Sequence, residues 1–376
     1  MRILIASQDW DYRFARPQHF ARIFSRQHQV IYLATGPGIL GRTRDVLSRR
    51  APLRLLTFRI NSRLQVFNAL HPIDHGSPAQ VSRDCRLNSG ISRTFFPRAF
   101  RRADIVIVTN PLHHDVLRHL RWDKLVYERL DRYEDFFPVG SELRAFVRER
   151  EQRLLREADF VFASARALVE EKAGVRKIHY LPHGVEIEHF QRPAPGVPED
   201  MKEFKRPVVG FVGGIEPWVN MSWIEAAARR FPAASFVLIG DIRVRIDELA
   251  RLPNVHFLGY RAYDQVPRYV TTFNVCIIPF EINQLTAAVN PIKVLEYLAL
   301  GKPVVSSYMP ELEALLPHIV MTHSAEGFVA AIERALVSDD AGAIHPRQEF
   351  ARARSWECIV RQFLDVVTGR QRTTTF

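Results

Sequence analysis

A carboxylate-rich stretch directly after an apolar run is the clearest candidate for acid–base chemistry. Residues 127–135 read Tyr-Glu-Arg-Leu-Asp-Arg-Tyr-Glu-Asp, with four carboxylates among nine residues. They follow a predicted strand, and α/β sheets bind ligands beyond the carboxyl ends of their strands. A carboxylate there can take a proton as a general base, and we expect the flanking Arg129 and Arg132 to keep Asp131 ionised. The alternative role of Asp131 is a helix N-cap. The reserve candidates for the base are Glu128, Glu134 and Asp135.

A second candidate site lies where a predicted helix, 291–300, begins. Asn290 precedes this helix, Lys293 lies in its first turn and Glu296 lies three residues further on. Helix amide groups and a lysine attract an anion such as a phosphate, while a glutamate can accept hydrogen bonds from hydroxyl groups. The alternative is a surface lysine paired with Glu296 along the helix.

Two further loops follow predicted strands. Gly213 and Gly214 come after the strand 208–212, and glycines let the backbone approach a phosphate closely. Such a turn is common in α/β proteins, so by itself it is a weak signal. The first loop, 9–19, contains Arg16 and His19, which are candidates to hold a phosphate or sugar of an acceptor. His19 has the alternative role of orienting the loop.

The elements that position these residues alternate between strands and helices. Short apolar runs predict strands at 2–6, 30–33, 105–109, 125–127, 160–164 and 179–181. This alternation is typical of doubly wound parallel sheets. A segment with four prolines, 191–207, interrupts the pattern, which restarts at 208. We therefore predict an α/β fold with two Rossmann-like domains, 1–190 and 208–350, joined by the linker 191–207 and followed by a C-terminal segment, 351–376.

Length and composition exclude several classes. The chain has 376 residues, and its apolar runs are much shorter than the roughly 18 residues of a membrane-spanning helix. Its N-terminus turns polar after six residues and does not resemble a signal peptide, which predicts a cytoplasmic protein. The three cysteines, Cys85, Cys276 and Cys358, lack the spacing of metal ligands.

Positive charge is concentrated near the N-terminus. Residues 1–130 contain 22 Lys and Arg against 9 Asp and Glu, a net charge of +13, whereas the whole chain carries +11. Apolar residues alternate with the arginines of segments 42–63 and 83–102, a mixture that favours an anionic membrane surface as partner. A solvated basic face is the alternative. Nucleic acid is not expected as a partner, because no recognition motif accompanies the charge.

Four stretches resemble the GT-B superfamily of glycosyltransferases. They are Leu-Pro-His-Gly-Val-Glu at 181–186, Pro-Val-Val-Gly-Phe-Val-Gly-Gly at 207–214, the helix segment 289–305 and Ser-Trp-Glu at 355–357. In that family they close the N-terminal lobe, open the donor lobe, form the nucleotide-sugar signature and begin a C-terminal helix that crosses back to the first lobe. The resemblance implies two lobes that face each other across a donor cleft.

The same resemblance assigns residues to a UDP- or GDP-sugar donor. Donor binding falls on Gly213, Gly214, Tyr260, Asn290, Lys293 and Glu296. Tyr260 lies at the family's base-recognition loop, with a packed surface tyrosine as the alternative. The pattern of Tyr127 followed four residues later by Asp131 is similar to the inverting glucuronosyltransferase of xanthan assembly, which puts Asp131 at the position of the base.

Two departures from retaining relatives favour inversion. Those relatives usually carry a glutamate at the position of Ala288, and an Arg and a Lys where this chain has 215–218, Ile-Glu-Pro-Trp. We expect neither metal nor cofactor, and we assign the charge of the leaving group to Lys293 and the helix. The expected function is hexosyl transfer to a lipid-linked glycan or polysaccharide.

Two alternative functions remain from the sequence. The same fold serves nucleotide-sugar 2-epimerases, and a protein of this charge can also be a non-catalytic module that binds polysaccharide or anionic lipid. The basic N-terminal domain argues against the epimerase, and the presence of Asp131, Lys293 and Glu296 argues for an enzyme. A nicotinamide-dependent oxidoreductase is not expected, because no G-x-G-x-x-G follows the first strand.

Overall fold

The computed structural model describes residues 1–8, 10, 14–34, 57–68, 77–95, 102–172, 177–192, 195–338 and 341–370. The chain divides into two units. Unit 1 comprises Met1–Pro182 and Val360–Phe376, and unit 2 comprises His183–Ile359. The segment 191–207, predicted as a linker, lies within the range of unit 2.

Unit 1 is built on an eight-stranded sheet with the order β3-β4-β2-β1-β5-β6-β7-β8. Its strands are β1 (Arg2–Ser7), β2 (Gln29–Ala34), β3 (Thr57–Asn61), β4 (Leu64–Phe67), β5 (Ala103–Val108), β6 (Trp122–Arg129), β7 (Phe160–Ala163) and β8 (His179–Tyr180). All neighbours pair in parallel except β3 and β4. The central strands are apolar on both faces, and Ile3 and Val106 are both at most 2% exposed, as expected for a parallel sheet that helices cover on both sides.

Before the chain enters unit 2, the described part of unit 1 contains four α-helices. They are α1 (Arg16–Phe24), α2 (Pro78–Phe95), α3 (Glu142–Glu157) and α4 (Arg166–Glu170). Helix α1 begins with Pro17 in its first turn, where the missing amide hydrogen is not needed. Helix α3 begins at Ser141, whose hydroxyl accepts a hydrogen bond from the Arg144 amide. Short 3-10 helices cover Pro111–His119 and Tyr133–Phe136.

Much of the basic sequence lies outside the described residues. This applies to Arg42, Arg44, Arg49, Arg50, Arg54, Arg98 and Arg101. The described part of segment 42–63 contains β3 and the turn that joins it to β4 in an antiparallel hairpin, which the sequence did not predict. Arg59 and Arg63 are exposed there, whereas Phe58 and Ile60 are half-buried. In this hairpin the alternation of charge and apolar groups reflects the two faces of a strand.

Unit 2 is built on a six-stranded parallel sheet with the order β11-β10-β9-β12-β13-β14. Its strands are β9 (Val208–Val212), β10 (Ser235–Ile239), β11 (Val255–Gly259), β12 (Val275–Ile278), β13 (Val304–Ser307) and β14 (Val320–Thr322). Alternate residues of β9 enter two different apolar clusters, Val208 and Val212 on one face and Val209 and Phe211 on the other. The predicted doubly wound α/β architecture is therefore confirmed in both units.

The helices that follow in the chain are α5 (Ile187–Gln191), α6 (Met221–Arg230), α7 (Val266–Thr271), α8 (Gln284–Ala287), α9 (Ile292–Ala299), α10 (Ala325–Ser338), α11 (Ile344–Arg352) and α12 (Trp356–Thr368). Helix α12 begins in unit 2 and ends in unit 1. Within unit 1 its Phe363 ring packs 5.5 Å from the ring of Phe20 and 4.9 Å from that of Phe162. Among the described residues, no helix is both long enough and apolar enough to cross a membrane.

Candidate active site

The four carboxylates of residues 127–135, at the end of β6 and directly after it, differ in how they are paired. Glu128 accepts from Arg16, Glu134 accepts from Arg148 and Asp135 accepts from Arg144. Within the described part of the chain, the Asp131 carboxylate is the one of these four that has no hydrogen bond or ion pair. Asp131 is thus the carboxylate left available to a substrate.

The two arginines beside Asp131 are bound elsewhere, so the expectation that they keep Asp131 ionised is wrong. Arg129 donates from Nε to Oε1 of Glu151 at 2.8 Å and from Nη2 to Oε2 of Glu171 at 2.8 Å. The Arg132 side chain also contacts the Glu171 carboxylate. Both positive charges are therefore compensated by carboxylates from other parts of unit 1.

The Asp131 carboxyl is partly buried, and this desolvation raises its pKa from 3.8 to about 7. A carboxyl with such a pKa takes up a proton near neutral pH, as a general base must. The alternative role as N-cap is not observed. The following 3-10 helix, Tyr133–Phe136, has Arg132 at its N-cap position and no side-chain cap.

Two residues of unit 1, Tyr133 and Glu151, were missed by the sequence interpretation. Burial raises the pKa of the Tyr133 phenol well above 10, and the nearby charges of Asp131 and Glu128 raise it further. Glu151 is 5% exposed and accepts hydrogen bonds from Tyr127 and Arg129. One signal for Glu151 existed, because it lies four residues after Val147 and so falls on the apolar stripe of α3.

Arg16 and His19 lie in the interior of unit 1. The Arg16 side chain is 1% exposed and donates to Glu128 and to the carbonyl oxygens of Leu181 and Pro182. His19 is 3% exposed, and its ring packs edge-on against Phe14 with centroids 4.5 Å apart. This placement indicates a structural role for Arg16, and binding of an acceptor by either residue stays a prediction.

Helix α9 carries the second candidate site. Lys293 Nζ lies 2.7 Å from Glu296 Oε2, with the lysine side chain 26% exposed and the glutamate 2% exposed. The predicted alternative, a pair along the helix, is thus present, and the exposed face of the lysine remains open to solvent. Asn290 precedes the helix, and its side-chain amide donates to Glu311 at 3.1 Å. The first turn of α9 has no side-chain cap.

The glycine turn is attached to the same helix. Tyr297, next to Glu296, accepts a hydrogen bond at its hydroxyl from the Val212 amide at 2.8 Å, directly before Gly213. This turn lies at the carboxyl end of β9, where the strand order reverses between β10 and β12. Reversal points of this kind bind ligands in open α/β sheets. Tyr260 follows β11, at the same carboxyl end of the sheet, and is 42% exposed.

No cluster of three or more His, Cys, Asp or Glu side chains that could hold a metal ion occurs in the described part of the chain. Independence from metal stays a prediction.

Comparisons with known proteins agree with this geometry. The family described as "Glycosyl transferases group 1" matches residues 206–338. TuaH of Bacillus subtilis (strain 168), whose name assigns it to teichuronic acid biosynthesis as a glycosyltransferase, is 30% identical over 272 residues, which cover 67% of this chain and 68% of TuaH.

Two solved structures share the fold at low sequence identity. Sucrose-phosphate synthase from Thermosynechococcus elongatus superposes with a TM-score of 0.75 at 14% identity and covers 98% of this chain and 99% of its own. Anabaena HepE in complex with UDP-glucose superposes with a TM-score of 0.67 at 17% identity and covers 98% of this chain and 100% of its own. With the sequence match to TuaH, these likenesses show that the chain belongs to the group 1 glycosyltransferases, enzymes of the GT-B fold that use nucleotide-sugar donors.

Proposed function

We propose that this enzyme transfers a hexosyl group from a UDP- or GDP-sugar to an acceptor hydroxyl with inversion, using Asp131 as the base. The observation that carries the proposal is the state of Asp131. Among the four carboxylates of residues 127–135 it is the one without a partner in the described residues, and burial raises its pKa to about 7. A base with this pKa is half deprotonated at neutral pH and can accept the proton of a hydroxyl.

The reaction balances with one proton transfer and one displacement. Asp131 removes the proton of the acceptor hydroxyl while the oxygen attacks the anomeric carbon of the sugar. The bond from that carbon to the phosphate oxygen breaks, and the nucleoside diphosphate leaves with the bonding electrons. A single displacement inverts the anomeric centre.

Donor binding is assigned to unit 2. Lys293 supplies positive charge, the uncapped first turn of α9 supplies amide groups, and Gly213 and Gly214 give the backbone close access to a phosphate. The ribose hydroxyls are assigned to Glu296, and the base to Tyr260. Support for a UDP-sugar comes from HepE, which was solved in complex with UDP-glucose. We propose that no metal ion is required, because Lys293 and the helix dipole supply positive charge to the leaving diphosphate.

The acceptor is proposed to be a lipid-linked glycan or a polysaccharide. The support is the likeness to TuaH, which is named for the synthesis of teichuronic acid. Transfer assays with extracted lipid-linked glycans and soluble polysaccharides as alternative acceptors distinguish the two classes.

We propose a peripheral association with the inner face of the plasma membrane, supported by the charge of residues 1–130, which is +13. Each basic residue near anionic headgroups contributes about 1 kcal/mol, and salt weakens the attraction. We expect sedimentation with vesicles that contain phosphatidylglycerol and not with pure phosphatidylcholine. Arg59→Glu on the exposed edge of β3 should weaken this binding more than Arg251→Glu in unit 2. Binding that ignores lipid charge and salt would refute the association.

The anomeric configuration of the product tests the reaction itself. Proton NMR of the product formed from a UDP- or GDP-hexose and an acceptor should show the configuration opposite to that of the donor. Retention of configuration would exclude the proposed displacement. Formation of an isomerised nucleotide sugar without acceptor would indicate a 2-epimerase.

A further inference from the structure

The loops after β9 and β10 run side by side beyond the end of the unit 2 sheet. The Gly213 amide donates to the Ile239 carbonyl at 2.8 Å, the Ile215 amide to the Asp241 carbonyl at 2.8 Å and the Arg243 amide to the Ile215 carbonyl at 2.9 Å. Gly240 makes this pairing sterically feasible. It has φ +153°, and a β-carbon there would lie 1.8 Å from the Gly213 carbonyl oxygen. The backbone of Arg243 is thus fixed against the glycine turn.

The side chain of Arg243 is positioned by a buried carboxylate. Its Nε lies 3.4 Å from Oε1 of Glu216, whose side chain is 8% exposed, while the arginine side chain is 49% exposed. Lys293 and Glu296 have the same arrangement, a partly exposed cation beside a carboxylate that is 2% exposed. Each buried carboxylate restricts the position of its cation, and the cation itself stays partly exposed to solvent.

Both cations are connected to the same turn. Lys293 lies one helical turn, about 5.4 Å, before Tyr297 on the same face of α9, and the Tyr297 hydroxyl accepts from the Val212 amide. The backbone amide of Arg243 donates to the carbonyl oxygen of Ile215, which follows the glycine turn. The backbone on either side of the glycine turn is therefore bonded to α9, which carries Lys293, and to the loop after β10, which carries Arg243.

Charge balance favours two cations at a diphosphate. The diphosphate of a nucleotide sugar carries two negative charges, and Lys293 supplies one positive charge that Glu296 already compensates in part. The segment 215–218 that follows the glycine turn contains no Lys or Arg. A guanidinium suits a phosphate because it donates two parallel hydrogen bonds.

We infer that Arg243 is a second diphosphate-binding residue of the donor site and that Glu216 positions it. This inference rests on the proposed donor site in unit 2 and adds to it a residue outside the donor-binding positions assigned from the sequence. Arg243 binds the diphosphate in both the donor and the released nucleoside diphosphate, and Glu216 acts only through Arg243.

Calorimetric titration of the full chain with UDP, GDP and uridine tests the inference. Arg243→Gln should weaken the binding of the preferred nucleoside diphosphate about 10- to 100-fold and reduce its dependence on salt, since one charge-assisted contact is lost. Arg245→Gln, which removes the same charge from an exposed position two residues away, should bind like the wild type. Glu216→Gln should cause a smaller loss, and Arg243→Lys should recover part of the affinity.

The outcomes separate this inference from the proposed function. If Arg243→Gln binds the diphosphate as tightly as Arg245→Gln does, while Lys293→Met binds it weakly, Arg243 is not a phosphate ligand and the donor site stands. An equal loss for uridine and for the diphosphate would also overturn the phosphate role. Failure of the wild type to bind UDP and GDP would overturn both the donor site and the inference.

Discussion

Two ion pairs, one in each unit, join a cation to a buried carboxylate and differ in the exposure of the cation. In unit 1 the Arg16 and Glu128 side chains are each 1% exposed. In unit 2 Glu296 is 2% exposed, but the Lys293 side chain is 26% exposed. The first pair is closed to any ligand, whereas the second can exchange part of its interaction for a phosphate. Exposure of the cation, and not the presence of the pair, distinguishes a structural from a ligand-binding ion pair.

Asp131 is a third case, a carboxylate whose neighbouring arginines are both paired with other residues. Arg129 and Arg132 are bound to Glu151 and Glu171, which leaves the Asp131 carboxyl partly buried without a counter-charge among the described residues. Unit 1 thus presents an uncompensated carboxylate and unit 2 presents partly exposed cations. The first suits proton abstraction and the second suits a diphosphate.

The largest expected effect is on turnover in Asp131→Asn. Loss of the base should reduce kcat about 100- to 10,000-fold, with the affinity for the nucleotide sugar unchanged because the donor is assigned to unit 2. Steady-state kinetics and donor calorimetry measure the two quantities. Glu134→Gln removes a charge from the same segment and should retain kcat near the wild-type value, since its partner Arg148 is on the surface. A normal kcat in the Asp131→Asn variant would show that another residue acts as the base.

The next largest expected effect is the loss of stability when the buried Arg16–Glu128 pair is broken. Arg16→Met leaves Glu128 buried without its cation, which should lower the free energy of unfolding by about 3–5 kcal/mol. Urea unfolding measures this change. Arg22→Met on the same helix is the control, and Arg16→Met with Glu128→Leu should recover part of the loss. A stable Arg16→Met enzyme with a raised KM for acceptor would instead indicate that Arg16 binds the acceptor.

Removing the cation of the Lys293–Glu296 pair in unit 2 should weaken the binding of the nucleotide sugar. Lys293→Met should weaken the affinity for the nucleotide sugar about 10- to 100-fold, because one charge-assisted contact to the diphosphate is lost. Lys205→Met, at an exposed position of unit 2, serves as the charge-matched control. An unchanged dissociation constant in Lys293→Met, measured by calorimetry, would mean that this pair is as structural as Arg16–Glu128.

The smallest effect concerns pH. Because the pKa of Asp131 is raised from 3.8 to about 7 on folding, the folded protein holds more protons than the unfolded chain between about pH 4 and pH 7. Its stability contribution therefore falls as the pH rises through this window. Asp131→Asn should increase the free energy of unfolding by roughly 1–2 kcal/mol at pH 8 and have no such effect at pH 4.

The pH dependence of kcat should also report the ionisation of Asp131. In the wild type, kcat should fall below about pH 7 as Asp131 becomes protonated. An acid limb near pH 4 would show that the carboxylate is not desolvated during catalysis.

Most of the fold could be predicted because its signals are local. Strands Val208–Val212 and Phe160–Ala163 lie where continuous apolar runs predict them, and α9 differs by one residue at each end from the predicted 291–300. The hairpin β3–β4 was not predicted, because its arginines alternate with apolar residues whose faces only the neighbouring strand and helices define. The xanthan-type likeness of the Tyr127 and Asp131 pattern stays a prediction.

The candidate site was predictable to the level of residue type and position along the strands. The sequence places Asp131 after β6 and Lys293 in the first turn of α9, since strand ends and helix starts follow from nearby residues. It also offered the Lys293–Glu296 pair, whose members are three residues apart.

Partners of the other charges were decided only by the tertiary structure. Arg16 and Glu128 are 112 residues apart, and Arg129 and Glu171 are 42 residues apart. Periodicity and capping report on contacts within a few residues, whereas these pairs form because packing of helices on the sheet brings distant side chains together in an environment without water. The sequence by itself determined which residues stand at the strand and helix ends. Packing decided which charges are compensated, and so left Asp131 without a partner among the described residues while Lys293 remained partly exposed.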